Sequence, residues 1–250
     1  MGGQVNIAII GAGIMGRQVI LRNLNYSHQV IVYTRDIEVT KTKIHLYLSK
    51  RIENFDPLNC ELTITDNLED LYQAELIIEC LPENFEVKHK IVLKVNSLFP
   101  DKKIGSCTSS ITLSKLKEGM SNPNSLHLIH FSNPISKAKV AEIQCPQDLG
   151  TSGKDFIREY LASIEINGIC IPDIPGFVLN RILFAMLFEA LKIDDQHEIS
   201  RSEIDLLMKE GCGLPMGPFE IMDFIGTPTV REILINLYPD FVPEVTHLLG

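Results

Sequence analysis

The feature that most constrains this 250-residue chain is a short apolar strand that runs directly into a glycine-rich turn. Residues 5–10 are apolar at almost every position, and the segment 11–16 that follows reads GAGIMG, with the spacing G-x-G-x-x-G. A second apolar run, residues 30–33, comes at the distance expected of a strand–helix–strand unit. The pattern predicts a strand, a tight turn and a helix that together open a doubly wound, Rossmann-type parallel sheet.

Each glycine of this turn meets a different steric demand. Gly11 permits the tight turn, Gly13 lets the backbone approach a pyrophosphate, and Gly16 lets the helix pack closely on the strand. The amino terminus of the helix then offers N–H groups and the positive end of its dipole to phosphate oxygens. The alternative interpretation is that these glycines only permit a tight turn and bind no ligand. We expect a bound dinucleotide, with its phosphates near Gly11, Gly13, Ile14, Met15 and Gly16.

Short apolar strands alternate with helical segments through the first two thirds of the chain. Further strands are predicted at 62–65, 75–81, 103–107, 125–130, 139–144 and 164–171. Helices are predicted at 39–55 and 85–98. This alternation predicts an α/β fold with a largely parallel sheet covered on both faces.

The pattern changes at the proline-rich segment 172–176. Every later periodic stretch is typical of a helix: 177–191, 201–211, 218–224 and 228–238. We therefore divide the chain into a dinucleotide-binding domain, residues 1–172, and a smaller all-helical domain, residues 173–250.

Composition and charge exclude several classes of protein. With 45% hydrophobic residues the chain can bury a substantial core, and a net charge of −9 is not the basic footprint that a nucleic acid requires. No segment reaches the roughly 18 apolar residues of a transmembrane helix. The six cysteines show no C-x-x-C spacing. We expect reduced thiols in a cytoplasmic protein, with no metal site and no membrane partner.

Four polar positions fall at the end of an apolar strand or near the start of a helix, where an α/β sheet presents its ligand crevice. They are the hydroxyl cluster 106–110, His130, Glu142 and Asn180. Structural interpretations remain open: a helix cap for the cluster, a core histidine, and a local helix-terminus bond for the asparagine. A glutamate within an apolar strand requires a partner if buried, and an imidazolium on His130 would be one.

Together these residues suit the removal of hydride from a carbinol carbon. The hydroxyl must lose its proton as the hydride leaves, so a base has to lie opposite the nicotinamide. His130 suits that task near neutral pH, and Glu142 can fix its tautomer and stabilise the cation that forms.

With these motifs in this order, the chain resembles the L-3-hydroxyacyl-CoA dehydrogenase family, which includes the 3-hydroxybutyryl-CoA dehydrogenases. The resemblance covers residues 5–226 and rests on segments 11–16, 78–84, 108–110, 130–134, 175–181 and 213–220. It implies that His130 is the catalytic base, that Glu142 orients it, and that Ser109 and Asn180 contact substrate. It also implies a homodimer built on the helical domain, and a nicotinamide ribose near Glu79, Glu83 and Lys88.

The chain departs from that family in three places. Where the family closes its second strand with an acid for the adenosine ribose, this chain has Thr34 and Arg35, so we expect NAD with NADP as an alternative. The asparagine before the Thr-Ser-Ser motif is replaced by Cys107. The helical segment over residues 36–60 is shorter than the corresponding segment of the family, and so is the carboxyl-terminal end. Lys50 and Arg51 are the expected contacts for CoA phosphates, and an acyl-carrier protein is the alternative carrier.

We therefore predict an NAD(P)-dependent oxidoreductase that interconverts L-3-hydroxyacyl and 3-oxoacyl thioesters. The alternative is a catalytically weakened dinucleotide-binding protein with a structural or sensing role, which Cys107 and Thr34 motivate. A 3-hydroxyacid enzyme is a third hypothesis, but such enzymes use a lysine base where this chain has Arg181.

Overall fold

The computed structural model describes residues 5–53, 56, 60–146 and 151–249, with the backbone alone for 151–154 and 245. The chain divides into two compact units, Met1–Ile174 and Pro175–Gly250. The first unit combines a sheet with helices, and the second is helical. Among the described residues, no helix is both long and apolar enough to cross a membrane.

One eight-stranded sheet organises the first unit. Its strands are β1 (Asn6–Ile10), β2 (Gln29–Tyr33), β3 (Leu62–Thr65), β4 (Leu76–Glu79), β5 (Lys103–Ser106), β6 (Leu126–Phe131), β7 (Val140–Gln144) and β8 (Asn167–Ile171). Its helices are α1 (Ile14–Asn25), α2 (Ile37–Ser49), α3 (Phe85–Leu98), α4 (Leu113–Leu116) and α5 (Thr151–Ser163). The strand order is β3-β2-β1-β4-β5-β6-β7-β8, and all pairs from β3 to β6 are parallel. The predicted doubly wound α/β class is confirmed.

The sheet reverses direction once, between β6 and β7. These strands are antiparallel because their link, residues 132–139, is shorter than the dozen or more residues that a parallel crossover requires. β8 is parallel to β7 because α5 provides that crossover. The reversal places His130 directly opposite Glu142 in the strand register.

Side-chain caps set the helix boundaries more sharply than the hydrophobic period does. The Asp36 carboxylate accepts the Val39 N–H at 3.0 Å, so α2 begins two residues before the predicted start at 39. The helix ends at Ser49, one residue after its last buried side chain, Leu48, and the predicted continuation through 50–53 is wrong. Residues 54 and 55 of the predicted helix lie outside the described residues.

Two further differences occur next to each other in the chain. Helix α5 was not predicted, although its buried residues Ile157, Tyr160 and Leu161 have the i, i+3, i+4 spacing of an amphipathic helix. The predicted strand 164–171 begins only at Asn167, because Ile164 is hydrogen-bonded to the Leu161 carbonyl in the turn that ends α5.

The second unit has a core of its own. Its helices are α6 (Val178–Gln196), α7 (Arg201–Cys212), α8 (Pro218–Ile225), α9 (Thr227–Leu237) and α10 (Val242–Leu248), of which α10 was not predicted. Asp205 fixes the start of α8, because its carboxylate accepts the N–H groups of Phe219 and Glu220 at 2.8 and 3.2 Å. A Cβ at Gly217 would lie 2.3 Å from that carboxylate, so only glycine permits this approach.

Candidate active site

The glycine-rich turn after β1 is closed toward the protein and open on one side. A Cβ at Gly16 would lie 2.0 Å from the Gly11 carbonyl oxygen, so the glycine lets α1 pack against the turn. Gly11 has a φ of +97°, a conformation that side chains disfavour. A Cβ at Gly13, by contrast, would meet no heavy atom within 4 Å. The backbone at Gly13 is therefore accessible to a ligand.

The first turn of α1 is suited to an anion. Gly13 is its N-cap, no side chain in the described part of the protein caps it, and no acidic residue lies in the turn. Ile14, which follows, is 75% exposed, and Met15 is half-buried. N–H groups at a helix start that no side chain caps attract phosphate oxygens, and the open space beside Gly13 supplies the close approach that a diphosphate needs. The turn therefore fits the dinucleotide that its sequence predicts.

The first residue after β2 is not the acid that usually binds the adenosine ribose. Thr34 occupies the first position after the strand, and its hydroxyl is hydrogen-bonded to that of Thr40 at 2.7 Å. Asp36 is used as the cap of α2. Arg35 is exposed, and within the described residues it forms no ion pair. Arg35 and Asp36 are thus the exposed charged groups that follow β2.

A buried ion pair lies beneath the ends of β4 and β5. The Lys88 ammonium is 3.0 and 3.1 Å from the two oxygens of Glu79, and both side chains are only 1% exposed. The Ser106 hydroxyl donates to the same carboxylate at 2.5 Å. Burial lowers the pKa of Lys88, but the charges of Glu79 and Glu83 outweigh burial and raise it above its usual value. The predicted contact of Glu79 and Lys88 with a ribose stays a prediction, and their burial favours a positioning role.

Glu83 holds the hydroxyl-rich segment that follows β5. One oxygen of its carboxylate accepts the Thr108 hydroxyl at 2.5 Å, the N–H groups of Ser109 and Ser110 at 3.0 and 2.9 Å, and the Ser110 hydroxyl at 2.7 Å. Burial raises the pKa of Glu83, but these hydrogen bonds and the Lys88 charge lower it below its usual value. An ionised Glu83 therefore fixes the backbone on which Ser109 stands. The cap of α4 is Thr112, so the cluster is not the helix cap that the structural interpretation required.

His130 and Glu142 form a pair across β6 and β7. The Nδ1 atom of His130 lies 2.9 Å from Oε2 of Glu142, and the two side chains are 10% and 12% exposed. A carboxylate at Nδ1 selects the tautomer and directs Nε2 away from itself. Because β5 and β6 are parallel, their carboxyl ends lie at the same edge of the sheet. The segment 107–110, which follows β5, and His130, near the end of β6, therefore lie at that edge.

Asn180 lies in the second unit, in the first turn of α6. The residue that caps this helix, Phe177, is buried and has a φ of +56°, which is unusual for an aromatic side chain. Strained backbone of this kind is frequent next to functional groups. The contact of Asn180 with substrate stays a prediction.

Lys50 and Arg51 follow the last turn of α2, and both are exposed. The Arg51 guanidinium stacks 3.9 Å from the centre of the Tyr47 ring, and its Nη1 donates to the Tyr47 carbonyl at 3.2 Å. Arg51 is thereby held in one orientation, whereas no described residue pairs with the Lys50 ammonium.

The sequence interpretation missed one neighbouring pair at this edge. Cys80 and Cys107 are the residues that directly follow β4 and β5, and their sulfur atoms are 3.6 Å apart. The sequence does contain a pattern that could have revealed the pair, because a cysteine directly follows each of two strands that are neighbours in the sheet. Since strand order is not written in the sequence, the 27 positions that separate the cysteines concealed it.

Comparisons with known proteins agree over both units. A family model described as 3-hydroxyacyl-CoA dehydrogenase, NAD binding domain, matches residues 6–171. A second, described as 3-hydroxyacyl-CoA dehydrogenase, C-terminal domain, matches residues 176–245.

Individual relatives support the same assignment. Mitochondrial hydroxyacyl-coenzyme A dehydrogenase of Mus musculus is 28% identical, over 92% of this chain and 78% of that protein. The 3-hydroxybutyryl-CoA dehydrogenase of Clostridioides difficile is 29% identical, over 95% and 88%. The crystal structure of (S)-3-hydroxybutyryl-CoA dehydrogenase from Ralstonia eutropha superposes with a TM-score of 0.86 at 25% identity, over 97% of this chain and 90% of that one. The chain therefore belongs to the 3-hydroxyacyl-CoA dehydrogenase family of NAD-dependent oxidoreductases.

Proposed function

We propose that this protein interconverts L-3-hydroxyacyl-CoA and 3-oxoacyl-CoA, with His130 as the base. The observation that carries the proposal is the hydrogen bond of 2.9 Å between His130 and Glu142, at the sheet edge that also holds the segment with Ser109. A hydride can leave a carbinol carbon only as its hydroxyl loses a proton, and a histidine oriented by a carboxylate is suited to take that proton. The printed names of the relatives from Mus musculus and Clostridioides difficile supply the substrate class.

The proposal gives each residue a role, which the His130–Glu142 geometry supports for that pair and the family resemblance supports for the others. The Nε2 atom of His130 takes the hydroxyl proton, and Glu142 stabilises the imidazolium through Nδ1. By the family resemblance, Ser109, on the backbone that Glu83 fixes, and Asn180 hold the substrate oxygens. The bound NAD supplies the acceptor for the hydride, at C4 of its nicotinamide.

For the cofactor, we propose NAD bound in a site that tolerates a 2′-phosphate. Support comes from the end of β2, where Arg35 is exposed and the nearest carboxylate, Asp36, is used as a helix cap. A guanidinium attracts a phosphate, and the missing acid removes the usual partner of the ribose 2′-hydroxyl.

For the carrier, we propose coenzyme A rather than an acyl-carrier protein. The support is the pair of exposed cations Lys50 and Arg51, of which Arg51 is held in place by Tyr47. An acyl-carrier protein remains the alternative, and a comparison of both acyl donors on the unmodified enzyme distinguishes them.

We further propose that the protein is a cytoplasmic homodimer, with a dinucleotide-binding domain (1–172) and a helical domain (173–250) that binds substrate and dimerises. Exposed apolar residues on α6, among them Ile182 at 68%, support an interface on the second unit. The six reduced cysteines support a reducing compartment. Analytical ultracentrifugation and cell fractionation test the two statements.

The decisive experiment is an assay of the purified protein with acetoacetyl-CoA and either NADH or NADPH, followed by the loss of reduced-nicotinamide absorbance. We expect turnover with NADH and a measurable rate with NADPH. Tight binding of NADH without turnover of any 3-oxoacyl thioester would contradict the proposal and would favour a structural or sensing role for the dinucleotide site.

A further inference from the structure

Two thiols lie in contact at the edge of the sheet where the dinucleotide site is proposed. Cys80 and Cys107 directly follow the paired strands β4 and β5, whose register ends at Glu79 opposite Ser106. The Cys80 thiol donates to the sulfur of Cys107 at 3.6 Å. Both backbones are fixed by hydrogen bonds, from the Cys80 N–H to the Ile10 carbonyl and from the Cys107 N–H to the Glu79 carbonyl, at 2.8 and 2.9 Å.

The position of the two cysteines after paired strands is compatible with a disulfide. Neighbouring strands lie about 4.7–4.9 Å apart, which is within the range of about 4.4–6.8 Å between the Cα atoms of bridged cysteines. A bond of about 2.05 Å requires the sulfur atoms of Cys80 and Cys107 to approach by about 1.6 Å from their present separation of 3.6 Å. Rotation of the two side chains and a small shift of the segment after Cys107 can supply that movement.

We propose that Cys80 and Cys107 form a reversible disulfide that weakens dinucleotide binding. The two thiols have different environments: Cys80 is 6% exposed, whereas Cys107 is half-buried. The hydrogen bond with Cys107 and burial raise the pKa of Cys80 well above its usual value, so Cys80 is a thiol at neutral pH. Cys107 is thus the residue that a small oxidant reaches first.

Hydrogen peroxide is an oxidant of suitable size. The Cys107 sulfur attacks one peroxide oxygen, which gives a sulfenic acid and releases one water. The Cys80 sulfur then displaces hydroxide from that sulfenic acid, which forms the S–S bond and releases a second water. Each cysteine loses one proton and one electron, and the peroxide takes up these two protons and two electrons as it becomes two molecules of water. A dithiol such as dithiothreitol reverses the step by exchange.

The bridge would link two parts of the proposed site. On one side, a Cβ at Gly16 would lie 3.4 Å from Cβ of Cys80, and one at Gly11 would lie 3.1 Å from the Cys80 carbonyl oxygen, so Cys80 packs beneath the glycine turn. On the other side, Cys107 is two residues before Ser109. A shift of about 1 Å at a preorganised site is costly, so we expect roughly tenfold weaker binding of NADH after oxidation.

Only the consequence for binding rests on the proposed function, so the test has two separate readouts. The full chain is oxidised with limiting hydrogen peroxide and digested under non-reducing conditions, and the linked peptides are identified by mass spectrometry. NADH affinity is then measured by fluorescence titration without acyl substrate, before and after dithiothreitol. We expect a Cys80–Cys107 linkage, a roughly tenfold increase in the Kd for NADH, and recovery on reduction.

Variants assign the effect to this pair. In Cys80→Ala and Cys107→Ser, the ratio of the oxidised to the reduced Kd should fall to about one, and in Cys212→Ser, which removes an exposed cysteine of α7, the ratio should stay at its unmodified value. The proposal is overturned if no Cys80–Cys107 peptide forms, or if it forms and the Kd is unchanged. Failure of the reduced protein to bind NADH would contradict the proposed function instead, and the peptide map would still report on the thiols.

Discussion

Glu142 meets His130 at a directly opposed position of two antiparallel strands, with 2.9 Å between Oε2 and Nδ1. The main-chain ladder fixes both partners, and neither is carried by a loop. The histidine is therefore held in one orientation before substrate arrives, which is the preorganisation that general-base catalysis needs.

We predict that His130→Gln lowers turnover of acetoacetyl-CoA by about 100-fold or more, because removal of a general base typically has an effect of that size. The NADH affinity should remain within about twofold, since the change removes a group that acts on substrate. Steady-state kinetics and fluorescence titration measure the two quantities. His197→Gln, an exposed histidine after α6, is the matched control, and an active His130→Gln protein would remove the assignment.

Glu142→Gln should reduce turnover in the same direction by about tenfold or more, because a neutral amide no longer stabilises the imidazolium. The dependence of turnover on pH should also change, whereas NADH affinity should not. The pH profile of the variant is the informative measurement. A profile that superposes on that of the unmodified enzyme would show that the hydrogen bond does not act in catalysis.

Glu83 should make a pH-dependent contribution to stability. Its pKa in the folded protein is below its usual value because Thr108, Ser110 and the Lys88 charge favour the carboxylate over the opposing effect of burial. The contribution is therefore present above the unfolded pKa of about 4.5 and is lost as the pH falls through the lower folded pKa. Urea midpoints of the unmodified protein and Glu83→Gln should differ at pH 7 and converge in acid.

The control for that experiment is Glu86→Gln, an exposed glutamate in the first turn of the same helix. It should shift the urea midpoint only slightly across the same range of pH. A constant difference between the unmodified protein and Glu83→Gln at every pH would show that the hydrogen bonds do not require ionised Glu83.

Arg35→Ala should weaken NADPH binding by about tenfold and leave NADH binding nearly unchanged, since a charge-assisted bond to a phosphate is worth about 1.5–3 kcal/mol when fully formed and less at an exposed site. Fluorescence titration with both reduced cofactors measures the change. Lys41→Ala, on the adjacent helix α2, is the control cation. Equal losses for both cofactors would mean that Arg35 does not contact the 2′-phosphate.

Replacement of both Lys50 and Arg51 by alanine should raise KM for acetoacetyl-CoA with little change in kcat, which is the signature of lost uniform binding. Lys90→Ala, an exposed lysine of α3, is the control. If the two cations instead bind an acidic carrier protein, the variant will lose activity on the carrier-bound substrate, and the size of that loss will depend strongly on salt concentration.

The fold could be predicted wherever one local pattern decided the structure. The apolar runs of β1 and β2 and the glycine turn between them were compatible with one arrangement, and the helical periodicity of residues 85–98 gave both ends of α3 correctly. Helix α5 was not predicted because its apolar stripe is narrow. The reversal at β7 was not predicted because it depends on the length of the link between β6 and β7 rather than on the composition of that link.

The site could be predicted in its residues but not in all its contacts. His130 and Glu142 are recognisable because a polar residue interrupts an apolar strand. The contact of Cys80 with Cys107 depends on the order of the strands in the sheet, and the pairing of Lys88 with Glu79 depends on how α3 packs against β4, so neither could be read from spacing.

The reversal of the sheet at β7 pairs two residues, His130 and Glu142, that are close together in the chain. His130 and Glu142 are 12 positions apart and are joined by a short link, whereas β1 and β4, which are also neighbours, are separated by four helices and strands, α1, β2, α2 and β3. Closure of so short a loop has a small entropic cost, so this hairpin can form early in folding. An insertion in the crossover helices would leave the pair intact, whereas one extra residue within β6 or β7 would turn one partner to the opposite face of the sheet. The pairing of His130 with Glu142 therefore tolerates insertions and deletions in most of the domain, but it depends on the lengths of β6 and β7.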